Sequence, residues 1–317
     1  MLVAHDNKVL LSRTSYSLPS VIKQYCDAIP RSGLTAGSRC PASLLRMSDQ
    51  SQMTSSAKPI KAMDPENIRS PNRFWLLTYP RTASNLLLRI LALEDQSNLA
   101  LSSKTSYYFV PTMRVRMGPN GTYGKHPDSW TLEQRNSLMS SYQSSFENLQ
   151  QQISAAEIQS KDLFIKEHVP WMIEPIAETK FVFGEHSTDE SPWTVKAFAK
   201  QTRSESNETV LPDEFLKMWF PTFLIRHPAL AFPSSYRTCI DNEGVEAAKA
   251  QAIVHSLEMT LHWSRTLYDW YTKHFDQLKL SSAEEFNWPI ILDADDIIPN
   301  QNFCVDTATL LDSTLRN

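Results

Sequence analysis

Lys166 and His168 stand two residues apart in the run IKEHVP, and their types at that spacing could carry chemistry. In an extended segment alternate side chains share a face, so Phe164, Lys166 and His168 point one way while Ile165, Glu167 and Val169 point the other. Imidazole is the natural general base near neutral pH, and an ammonium beside it can stabilise developing negative charge. The same residues also suit an edge strand with solvated polar side chains, or a core histidine bonded to backbone.

Two more stretches place charged and hydroxylated side chains after apolar runs. In YPRTASNL, Arg81, Thr82, Ala83, Ser84 and Asn85 lead into a leucine-rich segment. A strand, tight loop and helix in that order offer an anion the N–H groups and dipole of the helix start, and Arg81 adds a planar charged fork. There is no GxxxxGKS or GxxxxGKT pattern, so the lysine and magnesium-binding hydroxyl of an NTP-hydrolysing loop are missing. Thr82 and Ser84 also read as plain helix caps. In IRHPALAFPSS, Arg226 ends a β-rich run, Pro228 suits the first turn of a helix, and Ser234 lies eight residues after the arginine. That pair could grip a second phosphate from two sides. Alternatively Arg226 is a salt-bridge partner and Ser234 a solvated hydroxyl. Pro233 is expected to kink that helix or displace its start.

These side chains need a frame. The pattern predicts strands over Phe74–Tyr79, Leu163–Val169, Thr222–Arg226 and Pro289–Leu292, and helices over Ser84–Leu93, Thr131–Ala156, Ala229–Tyr236 and Val245–Phe275. Leu138, Tyr142, Phe146, Leu149 and Ile153 recur at helical spacing behind a Thr131/Gln134 capping box. Trp263, Trp270 and Tyr271 give the last helix an aromatic face. Gly118, Gly121 and Gly124 in MGPNGTYG read as a mobile loop, and Glu185–Val210 as a loop or lid. Strands alternating with helices predict an α/β fold with a central parallel sheet covered on both faces, a three-layer sandwich.

Composition narrows the class. The 317 residues, 41% of them hydrophobic, are enough for one substantial core or two modest ones, and a net charge of −4 gives no reason to expect nucleic acid. No apolar run is long enough for a bilayer, and the start lacks a signal-peptide pattern, so a cytoplasmic protein without a membrane partner is expected. Cys26, Cys40, Cys239 and Cys304 are scattered, which fits reduced thiols rather than zinc. Residues 1–66, rich in Ser and broken by prolines, are expected to form a poorly ordered extension before a single domain at 67–317. The string Asp293-Ala294-Asp295-Asp296 matches the DxDD of terpene cyclases. Those enzymes are all-helical and this string follows a β run, so it reads as a strand end with acidic caps.

Together the three stretches resemble the sulfotransferases, and the likeness runs from about Phe74 to Leu292. That family has Tyr-Pro-(Lys/Arg)-Ser-Gly-Thr-Thr-Trp, then Lys-x-His-x-Pro, then an arginine followed eight residues later by a serine. Here the same order is YPRTASNL, IKEHVP and IRHPALAFPSS, most similar to the fungal branch. The resemblance implies a P-loop NTPase-like topology and sulfuryl transfer, without a metal, from 3′-phosphoadenylyl sulfate to a hydroxyl of a small molecule, with secondary metabolism as the setting. Arg81 would face the leaving 5′-phosphate, which Thr82, Ala83, Ser84 and Asn85 would cradle. Lys166 would stabilise the bridging oxygen, His168 would take the acceptor's proton, and Arg226 and Ser234 would hold the 3′-phosphate. Tyr107, Tyr108, Phe109, Trp130 and Trp171 could line an apolar acceptor pocket, or belong to the core. Ala83 stands where the family has glycine, and Leu86 where it has the tryptophan that stacks on adenine. The family's C-terminal Arg-Lys-Gly segment has no equivalent up to Asn317, so a shortened C-terminus is expected. That shortening motivates the alternative: an inactive, nucleotide-binding scaffold of the same fold.

Overall fold

Phe74, Trp75, Leu76 and Leu77 are all buried, and a strand apolar on both sides must lie inside a sheet covered above and below. The computed structural model, which describes residues 71–100, 107–197, 201–281 and 287–298, places them there. The strands are β1 (Arg73–Thr78), β2 (Leu99–Ala100), β3 (Asp162–His168), β4 (Phe220–Ile225) and β5 (Ile290–Asp293). They form one sheet in the order β2-β3-β1-β4-β5, every neighbouring pair parallel. The register sets Thr78 beside His168 and Leu76 beside Lys166 on one side of β1, and Thr78 beside Leu224 on the other.

The helices are α1 (Ser84–Ile90), α2 (Val110–Met117), α3 (Leu132–Ile158), α4 (Pro175–Phe183), α5 (Asp213–Leu216), α6 (Pro228–Glu243), α7 (Val245–Ala250), α8 (Ala252–Glu258), α9 (His262–Ser281) and α10 (Ala294–Ile297). On one face of the sheet Trp75 and Leu77 join Phe146 and Leu149 of α3 and Trp263 and Tyr271 of α9 in a large aromatic core. On the other face Leu76 joins Leu87, Leu91, Leu224, Leu292 and Ile297, which closes the sheet against α1 and α10. The result is helix, sheet, helix, the α/β sandwich expected from the alternation. Helix α3 is amphipathic as its spacing predicts: Leu138, Tyr142, Phe146, Leu149 and Ile153 are all buried. Thr131 and Gln134 form a reciprocal capping box at its start.

Several expectations need correction. The helix foreseen over Val245–Phe275 is three helices, broken where Gln251 (φ −100°, ψ 33°) and Met259 (φ −106°, ψ 52°) leave helical geometry. Pro233 sits within α6, whose start at Pro228 is not displaced. The glycine triplet is no loose loop, for Tyr123 N donates to Arg116 O at 3.1 Å and both Thr122 and Tyr123 are buried. A Cβ on Gly121 would lie 1.9 Å from Arg116 O, so the turn requires glycine there. As far as it is described, the Glu185–Val210 stretch is a fixed loop, tied by Val195 N to Val210 O (2.9 Å) and Val210 N to Met172 O (2.8 Å). Asp293 caps α10 by accepting from Asp295 N at 2.9 Å, so the DxDD string ends a strand and the cyclase reading falls with the helical fold it needs. Residues 1–66, Cys26, Cys40 and Cys304 lie outside the described residues, and Cys239 is a buried thiol.

Candidate active site

The loop after β1 is built by two residues in left-handed backbone conformations, Arg81 (φ 71°) and Ala83 (φ 57°, ψ 26°). Both carry a Cβ that this region disfavours, so the turn is held by its surroundings. Thr82 is buried and its hydroxyl donates to Tyr79 O at 2.9 Å, which turns the side chain into the loop. Leu86 N and Leu87 N donate to Ala83 O and start α1, with Ser84 buried and Asn85 exposed at its first turn. Leu86 is 37% exposed on the same turn. Beneath the loop the buried Tyr79 reaches the end of β4, its hydroxyl donating to Arg226 O and accepting from Arg226 N at 3.1 Å.

Lys166 and His168 emerge at the C-terminal end of β3, both almost wholly buried. Thr78 Oγ1 lies 2.6 Å from His168 Nδ1 and donates to Glu167 O at 3.2 Å. A threonine hydroxyl has one proton, so with that proton on Glu167 O the oxygen accepts from Nδ1–H. The neutral ring then carries its lone pair on Nε2. Burial and the neighbouring Lys166 charge hold the imidazole well below its usual pKa, partly offset by a hydrogen bond to the Thr78 backbone. Lys166 Nζ donates to Asn85 Oδ1 at 2.5 Å, which ties β3 to the loop. Burial lowers its pKa to about 7, with Glu167 acting the other way. The Tyr107 ring lies over this pair, 4.3 Å from Lys166 Nζ and with its centroid 4.8 Å from the His168 ring, while Trp171 meets His168 edge-on at 4.5 Å. On the opposite face the buried Glu167 accepts from Phe109 N (3.0 Å) and His168 N (2.9 Å), fixing the segment that bears Tyr107.

The third group closes on the same loop. Arg81 Nε donates to Ser234 Oγ at 2.9 Å, and Arg226 Nη1 donates to Arg81 O at 3.2 Å. Arg226 Nε donates to Asp295 Oδ1 at 3.1 Å, and His227 N to Asp295 Oδ2 at 3.1 Å. Arg81, Asn85, Lys166, His168, Arg226 and Ser234 therefore lie at the C-terminal edge of β1, β3 and β4, where open α/β sheets place their ligands. Of the aromatic residues, Tyr107 and Trp171 border His168. Phe109 packs on Tyr142, and Trp130 stands apart against Trp193 and Arg135.

Two curated relatives are similar to this chain. Sulfotransferase ppzF of Metarhizium rileyi is 46% identical over 229 residues, covering 72% of this chain and 67% of the relative. Sulfotransferase ppzF of Metarhizium majus is 45% identical over 234 residues, covering 73% of this chain and 68% of the relative. The chain belongs to the sulfotransferase family. No family model and no solved structure matches it.

In this sulfotransferase three residues that sequence reasoning passed over complete the arrangement: Thr78, Tyr79 and Asp295. Thr78 carried a signal, since it sits one pleat from the loop on the strand that must neighbour β3. Tyr79 and Arg226 are 147 residues apart, and nothing local reveals their pairing. Asp295 was visible only as part of an acidic string.

Proposed function

We propose that this sulfotransferase moves a sulfuryl group from 3′-phosphoadenylyl sulfate to a hydroxyl of a small molecule, within fungal secondary metabolism. Residues 67–317 form the catalytic domain of this reading, and the cytoplasm is its place of action. Among the described residues no helix is long and apolar enough to cross a membrane. What carries the proposal is one arrangement: side chains from β3 and α6 meet a single loop, through Lys166 on Asn85 and Ser234 on Arg81. A base, two cations and a hydroxyl thereby converge on a turn suited to an anion.

Arg81 and the N–H groups of Thr82, Ala83, Ser84 and Asn85 hold the 5′-phosphate in this reading, and Arg226 and Ser234 hold the 3′-phosphate. His168 Nε2 takes the proton of the acceptor hydroxyl as that oxygen bonds to sulfur. The bond from sulfur to the 5′-phosphate oxygen breaks in line, and Lys166 and Arg81 stabilise the charge left on that oxygen. Adenosine 3′,5′-bisphosphate leaves. The depressed pKa of His168 supports a base that is neutral at working pH.

The test pairs binding with turnover in the wild type and in His168→Ala. Both proteins are expected to gain melting temperature with adenosine 3′,5′-bisphosphate, beyond what ATP or AMP gives. Turnover of a responsive acceptor is expected to fall about 10²–10⁴-fold in the variant. A folded wild type that ignores the bisphosphate, or a variant that turns over at the wild-type rate, ends this reading.

A further inference from the structure

We infer that Asp295 is a positioning residue for donor recognition: it fixes the Arg226 guanidinium so that the site distinguishes a nucleotide bearing a 3′-phosphate from one without it. The inference rests on the donor reading above and adds to it a residue of α10.

The carboxylate spans two successive residues at the β4–α6 junction. Oδ1 takes Arg226 Nε and Oδ2 takes His227 N, both at 3.1 Å. Asp295 is itself set by Asp293, whose side chain accepts from Asp295 N at 2.9 Å, and Asp293 is paired in register with Ile225. The arginine thus has a continuous support running back into the sheet. Its second anchor is Arg81 O, which accepts from Nη1 at 3.2 Å, and its backbone is clasped by Tyr79. Nε and Nη1 are the anchored donors, and Nη2 is the one on which neither anchor acts. A guanidinium is planar and keeps its charge at any working pH, so holding two corners fixes the direction of the third.

The exposure of the pair favours positioning over stability. Arg226 and Asp295 are 23% and 30% exposed at their side chains, and ion pairs that water reaches add little to folding. What the contact does supply is a fixed orientation beside Ser234, reached through Arg81. An arginine free to sweep through its rotamers would pay ordering entropy each time a phosphate bound.

Titration of the wild type, Asp295→Ala and Asp295→Asn with adenosine 3′,5′-bisphosphate and with AMP tests this. In Asp295→Ala the bisphosphate is expected to weaken on the order of tenfold, the scale of one charge-assisted bond, while AMP affinity holds within about twofold. Asp295→Asn, which keeps an acceptor for Nε, is expected to fall between, and it carries the test if the alanine variant does not fold. Equal weakening of both ligands would mean a merely structural role and would overturn the inference. So would unchanged binding. Tighter bisphosphate binding would overturn it too, by showing that the carboxylate competes with phosphate for Arg226. A wild type that does not discriminate the bisphosphate from AMP removes the donor reading itself, and the inference with it.

Discussion

Lys166 is charged below its pKa and neutral above it, and burial brings that pKa down to about 7. In the proposed mechanism Lys166 must be charged to receive the leaving oxygen, so that function is lost as pH rises through about 7. We expect kcat/KM to fall on that alkaline side, and Lys166→Arg, which stays charged, to move the limb upward. A profile flat from about pH 6 to about pH 9 would contradict this role for Lys166. His168 gives no acid limb near its ordinary pKa, because burial and Lys166 keep it neutral well below that point. Ala83 makes a separate prediction. A Cβ in the left-handed region costs roughly 1–2 kcal/mol, and glycine would give back about 0.5–1 kcal/mol of that in chain entropy. Ala83→Gly should therefore raise Tm by roughly 2–4 °C, and a lower Tm would show that the loop gains from the methyl.

Elements differ in how openly the chain declares them. Helix α3 has a capping box and buried residues at regular spacing, so local rules suffice to place it. Its cap also yields a measurable expectation: Thr131→Ala should lower unfolding free energy by about 1 kcal/mol, read by denaturant titration, and no loss would mean that the box is not formed. Strands β1, β3 and β4 were legible because each apolar run stops at a polar loop that reads as the strand's end. Strand β2 is two residues, Leu99–Ala100, too short for any period to show. Helix α2 was hidden by Pro111 and by arginines on a segment whose partners lie elsewhere, and α4 by a proline at its first position. The breaks at Gln251 and Met259 carry neither Gly nor Pro; the signals there are side-chain hydrogen bonds, Gln251 Nε2 to Glu243 Oε2 at 2.6 Å and His262 N to Thr260 Oγ1 at 3.1 Å, which a helical period does not reveal. The site follows the same division. Lys166, His168, Arg81, Arg226 and Ser234 stand in recognisable strings, whereas Thr78 with His168 and Asp295 with Arg226 become partners only across strands.

At the scale of the molecule, a buried ion pair joins three helices that flank the sheet. Arg116 of α2 pairs with Glu178 of α4, donates to Tyr142 of α3 at 3.1 Å, and lies over the Tyr123 ring at 4.3 Å. Burial pushes the Glu178 carboxyl up to about 7 even against that guanidinium. Removing one partner strands the other charge, so Glu178→Ala should destabilise the protein by about 3–5 kcal/mol while Lys166 and His168 stay in place. A loss under about 1 kcal/mol would show that water reaches the pair. The parallel sheet also sets a timetable. Thr78 waits for His168, 90 residues downstream, and Tyr79 for Arg226, 147 residues downstream. No hairpin joins any two of the described strands, so β1 cannot pair as it is made. At a synthesis rate of about 5–20 residues per second, this strand, apolar on both faces, waits roughly 5–18 s for β3 to follow it from the ribosome, and longer for β4. For that interval the nascent chain carries a bare apolar strand, the kind of segment that aggregates when it is left without its partners.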